Sequence, residues 1–514
     1  MIEREWREAS DLRTSRVALA IVLIAAAFLR FWALGRGIPY AVQVDEPEII
    51  ERALTMMRTG SLDPRGFFDY PTLYIYIQFL AACARFITGA MDGAWTSLGQ
   101  VTGADFYLWG RAVTAAFGVA TVMLVYQIGM RWGARHALLA AGLLAVLPLH
   151  VRYSHYVLTD TPLTFFVTLT FLLSLVAHER NTLRAFAWAG AAAGLAAATK
   201  YNGGIALIIP LLACWMTVPA RPSRLAAALA AVTACAVAFF LAAPYTILDL
   251  PAFLNTFARL AGEYRSAWPR DEPALFVYLK LLRGYAFGWP ALLLAAGGMG
   301  LGIVRLVRGP GRVRWALAVV FPLVYLWMIS GQRIVYARYL LPMVPPLCVL
   351  AAAAVVSGVS LLRRYEIPRA PRTALIAALT IAALLPPALM SARWDREISV
   401  PGTVDLAYEW IRQNVPRESS LAIESRALLL PSDKYKTRNI SQLRETDYNG
   451  WRDSGTDYII ASSQSYGPYF DAPQRFPREY AEYMRIFGQS REVARFSPTN
   501  DLKGPELRIF KVIP

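Results

Sequence analysis

The run Thr72-Leu73-Tyr74-Ile75-Tyr76-Ile77-Gln78-Phe79-Leu80-Ala81-Ala82-Cys83-Ala84-Arg85-Phe86-Ile87-Thr88-Gly89 is long and apolar enough to cross a bilayer. Whether it crosses decides on which side of the membrane every later loop lies. Gln78 and Arg85 inside it, with Tyr74 and Tyr76, suit an interface better than a bilayer centre. The loops further along the chain supply the deciding argument.

Apolar runs of membrane length recur near 17–35, 108–130, 137–152, 161–178, 185–200, 203–219, 225–243, 287–307, 315–330, 339–362 and 373–390. Basic residues gather after every second one. They are Arg131 and Arg135; His178, Arg180 and Arg184; Arg221 and Arg224; Arg305, Arg308, Arg312 and Arg314; and Arg363, Arg364, Arg369 and Arg372. Arg4, Arg7, Arg13 and Arg16 precede the first run. Held out of the count, 72–89 becomes a juxtamembrane helix or partial insertion in a first outer loop over 36–107. All the basic loops then lie on the cytoplasmic side, with the N-terminus. The expected fold is a polytopic α-helical membrane protein of about eleven spans, with the C-terminus outside. The first run is long for a signal h-region and lacks a clear small-x-small cleavage site, so it reads as an uncleaved span in the cell inner membrane.

Composition agrees. Of 514 residues, 56% are hydrophobic, and the formal net charge of +16 follows from Lys and Arg in cytoplasmic loops rather than from nucleic-acid binding. Cys83, Cys214, Cys235 and Cys348 fall in apolar segments without metal-ligand spacing. From about 392 the apolar runs shorten and charges intersperse. The chain therefore divides into a transmembrane domain over 1–391 and a small extracytoplasmic α/β domain over 392–514. The latter has a helix over 403–413 and strands over 421–423, 458–461 and 507–512. Residues 249–265 and 273–283 read as two amphipathic helical pieces of another outer loop.

Directly after the first span stands Val44-Asp45-Glu46-Pro47-Glu48-Ile49-Ile50-Glu51-Arg52-Ala53-Leu54-Thr55-Met56-Met57-Arg58-Thr59-Gly60. It reads as a short interfacial helix with Asp45 as N-cap, Glu48 at capping-box spacing, Pro47 in the first turn and Gly60 at the end. Asp45 thus has two roles open to it, a cap or a group that does chemistry.

The topology collects other polar residues on the same face: Asp69; His150, Arg152, Tyr153, His155 and Asp160; Lys200 and Tyr201; Arg333, Arg338 and Tyr339. Ionisable groups at membrane depth mark sites or pair with one another. Each has a plain alternative: Asp160 can cap the span after it, His155 can pack, and Lys200 and Arg338 can snorkel. A carboxylate here can take a proton from an attacking hydroxyl, while Lys and Arg neutralise a phosphate leaving group. There is no Gly-rich nucleotide loop, His-Glu-x-x-His or Gly-x-Ser-x-Gly.

In this order the motifs resemble the GT-C superfold of membrane glycosyltransferases, in the branch of protein O-mannosyltransferase-like enzymes and lipid A aminoarabinose transferases. The resemblance is carried by Asp45-Glu46, by Asp69-Tyr70-Pro71 with Tyr74, by Tyr156-Val157-Leu158-Thr159-Asp160, by Thr199-Lys200 and by Arg338-Tyr339-Leu340-Leu341-Pro342. It implies inverting transfer of a sugar from a polyprenyl-phosphate donor to a glycolipid, polysaccharide or protein acceptor at the outer face. It implies Asp45 as catalytic base, with Glu46 beside it and Asp160 as second acid. Asp69, Tyr70, His155, Lys200, Tyr201, Arg338 and Tyr339 would bind donor phosphate or substrate. Relatives commonly carry Lys-Pro-Pro where this chain has Tyr70-Pro71-Thr72, which removes one phosphate-binding cation. A divalent cation is an open option, with Asp45, Asp69 and Asp160 as candidate ligands. A lipid-linked sugar flippase and a non-catalytic scaffold are the competing readings; a transporter predicts polar residues across the midplane and two-half symmetry.

Overall fold

The computed structural model describes residues 2–40, 43, 45–217, 223–266, 272–309, 311–364, 368–425, 427–430 and 434–513. It divides into two compact units: residues 1–34 with 48–394, and residues 35–47 with 395–514. The expected boundary near 392 is close to the observed one. What the sequence does not suggest is that 35–47, including Asp45 and Glu46, groups with the C-terminal unit.

The larger unit is helical. Among the described residues, eight helices are long and apolar enough to cross a membrane, and the chain is a multi-pass membrane protein. One of the eight is Leu73–Met91. Of its polar residues, read as marks of an interface, Gln78 is buried and donates to the Tyr74 hydroxyl at 2.7 Å and to the Gly110 carbonyl at 3.2 Å. The Arg85 guanidinium lies 4.3 Å from the Trp95 ring centroid. Length and hydropathy permit this helix to span. Elsewhere small residues bring helices together. Gly190 and Gly194 on Leu183–Thr199 face the carbonyls of Ala231 and Cys235 on Arg224–Ala242, so closely that no Cβ would fit.

Three breaks in the helices place polar residues. Pro148 separates Ala134–Val146 from Pro148–Tyr153. Lys200 is extended, between Leu183–Thr199 and the 3₁₀ turn Tyr201–Leu207. The 3₁₀ turn Ala337–Met343, containing Pro342, leads into Val344–Arg364. Irregular backbone at membrane depth is tolerated where protein buries it or a cavity needs it.

The smaller unit carries the helix Thr403–Asn414 and five strands, β1 (Ser420–Glu424), β2 (Lys436–Ile440), β3 (Tyr458–Ser462), β4 (Arg491–Phe496) and β5 (Leu507–Lys511). The sheet order is β2-β1-β3-β5-β4. β1 runs parallel to β2 and β3, while β5 is antiparallel to β3 and β4. Alternate residues of the central strands feed two cores. Ala422, Ile459, Ala461 and Phe510 pack with Trp451 and Tyr483 on one face. Leu421, Ile423, Ile460 and Ile509 pack with Ala407 and Ile411 on the other.

Candidate active site

Asp160 opens the helix Asp160–Arg180, but its side chain does not cap it. The carboxylate, 2% exposed, accepts from Lys200 Nζ at 2.7 Å and lies 3.6 Å from Arg338 Nε. The three groups come from three separate segments, two of them the interruptions at Lys200 and at Ala337–Met343, and both cations are nearly buried. One buried carboxylate is thus flanked by two cations. Buried cations are costly unless anions answer them.

Aromatic rings enclose this cluster. Lys200 Nζ lies 4.7 Å from the Tyr339 ring centroid and 6.0 Å from that of Tyr70. The Arg338 guanidinium is 4.7 Å from the Tyr336 ring. Such faces hold a desolvated cation in place without neutralising it. The Tyr339 hydroxyl meets that of Tyr264 at 2.8 Å. Tyr264 sits on the amphipathic helix Leu250–Ser266, and burial holds its hydroxyl above its ordinary pKa. Nothing in the sequence singles Tyr264 out, because a tyrosine on an amphipathic helix reads as an interfacial anchor.

Other expected site residues go elsewhere. Tyr201 donates its hydroxyl to the Phe68 carbonyl at 2.9 Å and packs against Phe253 and Phe257. The Asp69 carboxylate pairs with Arg259 on the Leu250–Ser266 helix. His155, expected at a phosphate, is 3% exposed, and its ring nitrogens face the carbonyls of Val151 at 2.9 Å and Trp32 at 3.0 Å. Burial pushes its pKa down to about 4, with Arg30 and Arg111 adding to the effect. A neutral imidazole has a single N–H, so it donates to one of these carbonyls, between the segment after Pro148–Tyr153 and the end of the first helix.

Arg30 has no place in the sequence reading. It is fully buried and donates to the carbonyls of Leu144 at 2.9 Å and Ala145 at 2.8 Å, and to His150 Nδ1 at 3.0 Å. Those carbonyls end the helix Ala134–Val146, where that of Leu144 also accepts from the Leu147 N–H at 3.4 Å. Arg30 thus stabilises the break before Pro148 and, through it, the loop that leads to Asp160.

Asp45 and Glu46 lie in the other unit, at the start of the helix Glu46–Thr59. The Asp45 N–H donates to Gln43 Oε1 at 2.7 Å, and the Glu46 carboxylate accepts the Gln43 N–H at 2.7 Å. It is Glu46, fully buried, that reaches back across the turn. Glu48 instead pairs with Arg52 at 3.6 Å, so the expected Asp45–Glu48 capping box is replaced by a Gln43–Glu46 turn. Gly60 ends the helix as expected, at φ +66°.

Among the described residues, no group of three His, Cys, Asp or Glu side chains is placed to hold a metal ion. Asp69 and Asp160 each face cations.

A family model described as dolichyl-phosphate-mannose-protein mannosyltransferase matches residues 70–258. No curated protein matches the sequence. Among solved structures, the chain is similar to the Archaeoglobus fulgidus oligosaccharyltransferase in its apo form, at 13% identity and a TM-score of 0.60, over 93% of this chain and 73% of that one. It is also similar to ArnT from Cupriavidus metallidurans bound to undecaprenyl phosphate, at 17% identity and a TM-score of 0.56, over 96% of this chain and 97% of that one. The chain has the GT-C fold of membrane glycosyltransferases.

Proposed function

We propose that the protein transfers a sugar from a polyprenyl-phosphate donor to an acceptor hydroxyl at the outer face of the cytoplasmic membrane, with inversion at the anomeric carbon. The observation that carries this reading is the Asp160–Lys200–Arg338 cluster, which brings two cations together at a buried place among tyrosines. Paired Lys and Arg groups suit a lipid phosphate. The likeness to a structure bound to undecaprenyl phosphate supports that class of ligand.

In this reading the acceptor oxygen attacks the anomeric carbon as its proton passes to Asp45. The bond from that carbon to the phosphate oxygen breaks, and the electron pair leaves with the lipid phosphate. Lys200 and Arg338 stabilise the charge that develops there. Asp160 acts on the two cations, holding both in place without cancelling both. Glu46 holds the turn that carries Asp45. The alternation of basic loops favours a cytoplasmic N-terminus and an outer C-terminal domain, with Leu73–Met91 along the outer interface.

The test is label transfer from a polyprenyl-phosphate-linked sugar pool in membranes, comparing the parent with Asp45→Asn at matched expression. Asparagine keeps the shape but cannot take the proton. Transfer by the parent and none by a folded variant supports the reading. Equal transfer by both removes Asp45 as the base. No transfer by the parent from any lipid-phosphate sugar removes the enzyme reading itself.

A further inference from the structure

The segment 35–47 groups with the C-terminal sheet rather than with the helices before and after it. Its attachments are specific. The Arg36 guanidinium pairs with the Asp405 carboxylate, in the first turn of the helix Thr403–Asn414. The same carboxylate accepts the Gly402 N–H at 2.5 Å, so it is fixed by its own helix before Arg36 arrives. The Tyr40 ring stacks on Tyr408, three residues along the same helix face, with centroids 3.9 Å apart and planes 14° apart. The Tyr40 carbonyl accepts from Leu429 N at 2.8 Å. Burial holds the Tyr40 hydroxyl above its ordinary pKa, with the Asp405 carboxylate adding to it. A charge pair, a ring stack and a backbone bond thus fix one short stretch to one small domain, and Asp45 follows Tyr40 by five positions.

We propose that this docking makes the C-terminal domain a positioning element for Asp45: Arg36 and Tyr40 seat the segment on the Thr403–Asn414 helix, and the seated segment holds the Asp45–Glu46 turn in the geometry that transfer requires. The inference rests on the reading of Asp45 as the base. Fixing a backbone residue costs about 1–2 kcal/mol of conformational entropy. A base on an untethered linker would meet that cost at each turnover. Misplacement of a reacting group by about 1 Å lowers rates by roughly a hundredfold. Arg36, Tyr40, Asp405 and Tyr408 touch no substrate; they act only through Asp45.

A positioning role and a merely structural one part at the kinetic constants. The experiment measures initial rates against polyprenyl-phosphate-linked sugar for the full chain in nanodiscs, beside equilibrium binding of undecaprenyl phosphate. Arg36→Ala and Tyr40→Ala are expected to lower kcat by about ten- to hundredfold, with KM and the undecaprenyl phosphate Kd changed by no more than about twofold. Tyr40→Phe keeps the stack and the backbone bond and is expected to retain most of kcat. If the alanine variants prove unstable, Asp405→Asn drops the ion pair but keeps an acceptor for Gly402, and the same split is expected of it. Parent-level kcat in these variants, with Asp45→Asn inactive, overturns the proposal and leaves Asp45 as the base. Parent-level kcat in Asp45→Asn overturns both. Loss of kcat and binding together, with Tyr40→Phe as impaired as Tyr40→Ala, assigns the docking to folding alone.

Discussion

Two buried carboxylates, one in each unit, show what the choice of partner does to a charge. Asp160 is 2% exposed and faces Lys200 and Arg338. Glu424 is 1% exposed and ends β1, where it accepts from Leu443 N at 3.1 Å, Ser462 N at 2.8 Å and the Tyr483 hydroxyl. The first is answered by two cations. The second is answered only by neutral donors, and burial outweighs them, pushing its pKa up to about 7. The first arrangement gathers groups that suit an anion; the second gathers none. Glu424 also stands at the carboxyl ends of the parallel pair β1 and β3, next to Ser462 at the end of β3. Open α/β sheets bind ligands at such ends, but here a side chain of the sheet itself takes the amides.

The contrast breaks most visibly at Lys200. Lys200→Met keeps the stem among Tyr70 and Tyr339 and removes the charge. It removes one of the two cations that face Asp160. We expect kcat/KM with a polyprenyl-phosphate-linked sugar to fall by about 10²–10³, as for truncating one partner of a buried charge pair. Binding of undecaprenyl phosphate should weaken in parallel, measured by equilibrium titration in nanodiscs. Adding Asp160→Asn should restore the summed charge of the three groups and part of the affinity. A double variant no better than the single one would mean that Lys200 touches substrate without help from net charge.

Glu424→Ala is the matching change in the other unit. It strands a hydroxyl and two amides in a closed core, each costing about 1–3 kcal/mol, so the domain should lose roughly 3 kcal/mol. Thermal unfolding followed through the buried Trp451 would register it. Undecaprenyl phosphate affinity should not move. A shift in that affinity would show that the neutral site is functional after all.

The two sites are unequally legible in the sequence, and for a physical reason. Asp160, Lys200 and Arg338 stand in apolar surroundings, where any charge draws attention. Glu424 ends a short strand in a mixed-charge domain, where a lone glutamate reads as a solvated surface residue. The same reasoning separates the strands. β1, β3 and β5 are buried and apolar enough to be read. β2 and β4 are edge strands carrying Lys436, Arg438 and Asn439, or Arg491, Glu492 and Arg495, and their charges hide the alternation. Arg30 escapes notice because its partners are carbonyls more than a hundred residues away. Nor does local pattern tell which unit owns 35–47, since Asp405 and Tyr408 lie far along the chain.

Acidity sharpens the contrast next. The carboxyl of Glu424 titrates near 7 when folded and near 4.5 otherwise. Between those values the folded state holds a proton that the unfolded state has lost. The resulting stabilisation is complete below about pH 4.5 and is lost as pH rises through 7, a difference of about 3 kcal/mol at most. Amide exchange protection of β1 and β3 in the full chain should therefore fall from pH 5 to pH 8, after correction for intrinsic rates. Glu424→Gln should flatten the slope. A slope of the opposite sign would mean that the three donors outweigh burial.

The smallest effect is expected where a carboxylate has a cation but no burial. Asp69 and Arg259 are 40% and 49% exposed. Water already screens both charges, and such pairs contribute about 0–1 kcal/mol. The junction they bridge has uncharged fastenings as well: buried Phe68 packs edge-on to Phe253, and Tyr201 donates to the Phe68 carbonyl. Asp69→Asn should thus change stability by less than about 1 kcal/mol and leave the transfer rate within about threefold, with little dependence on salt. A tenfold loss of rate at unchanged stability would remove the distinction drawn between the acids, because an exposed, screened carboxylate would then be acting on the substrate directly.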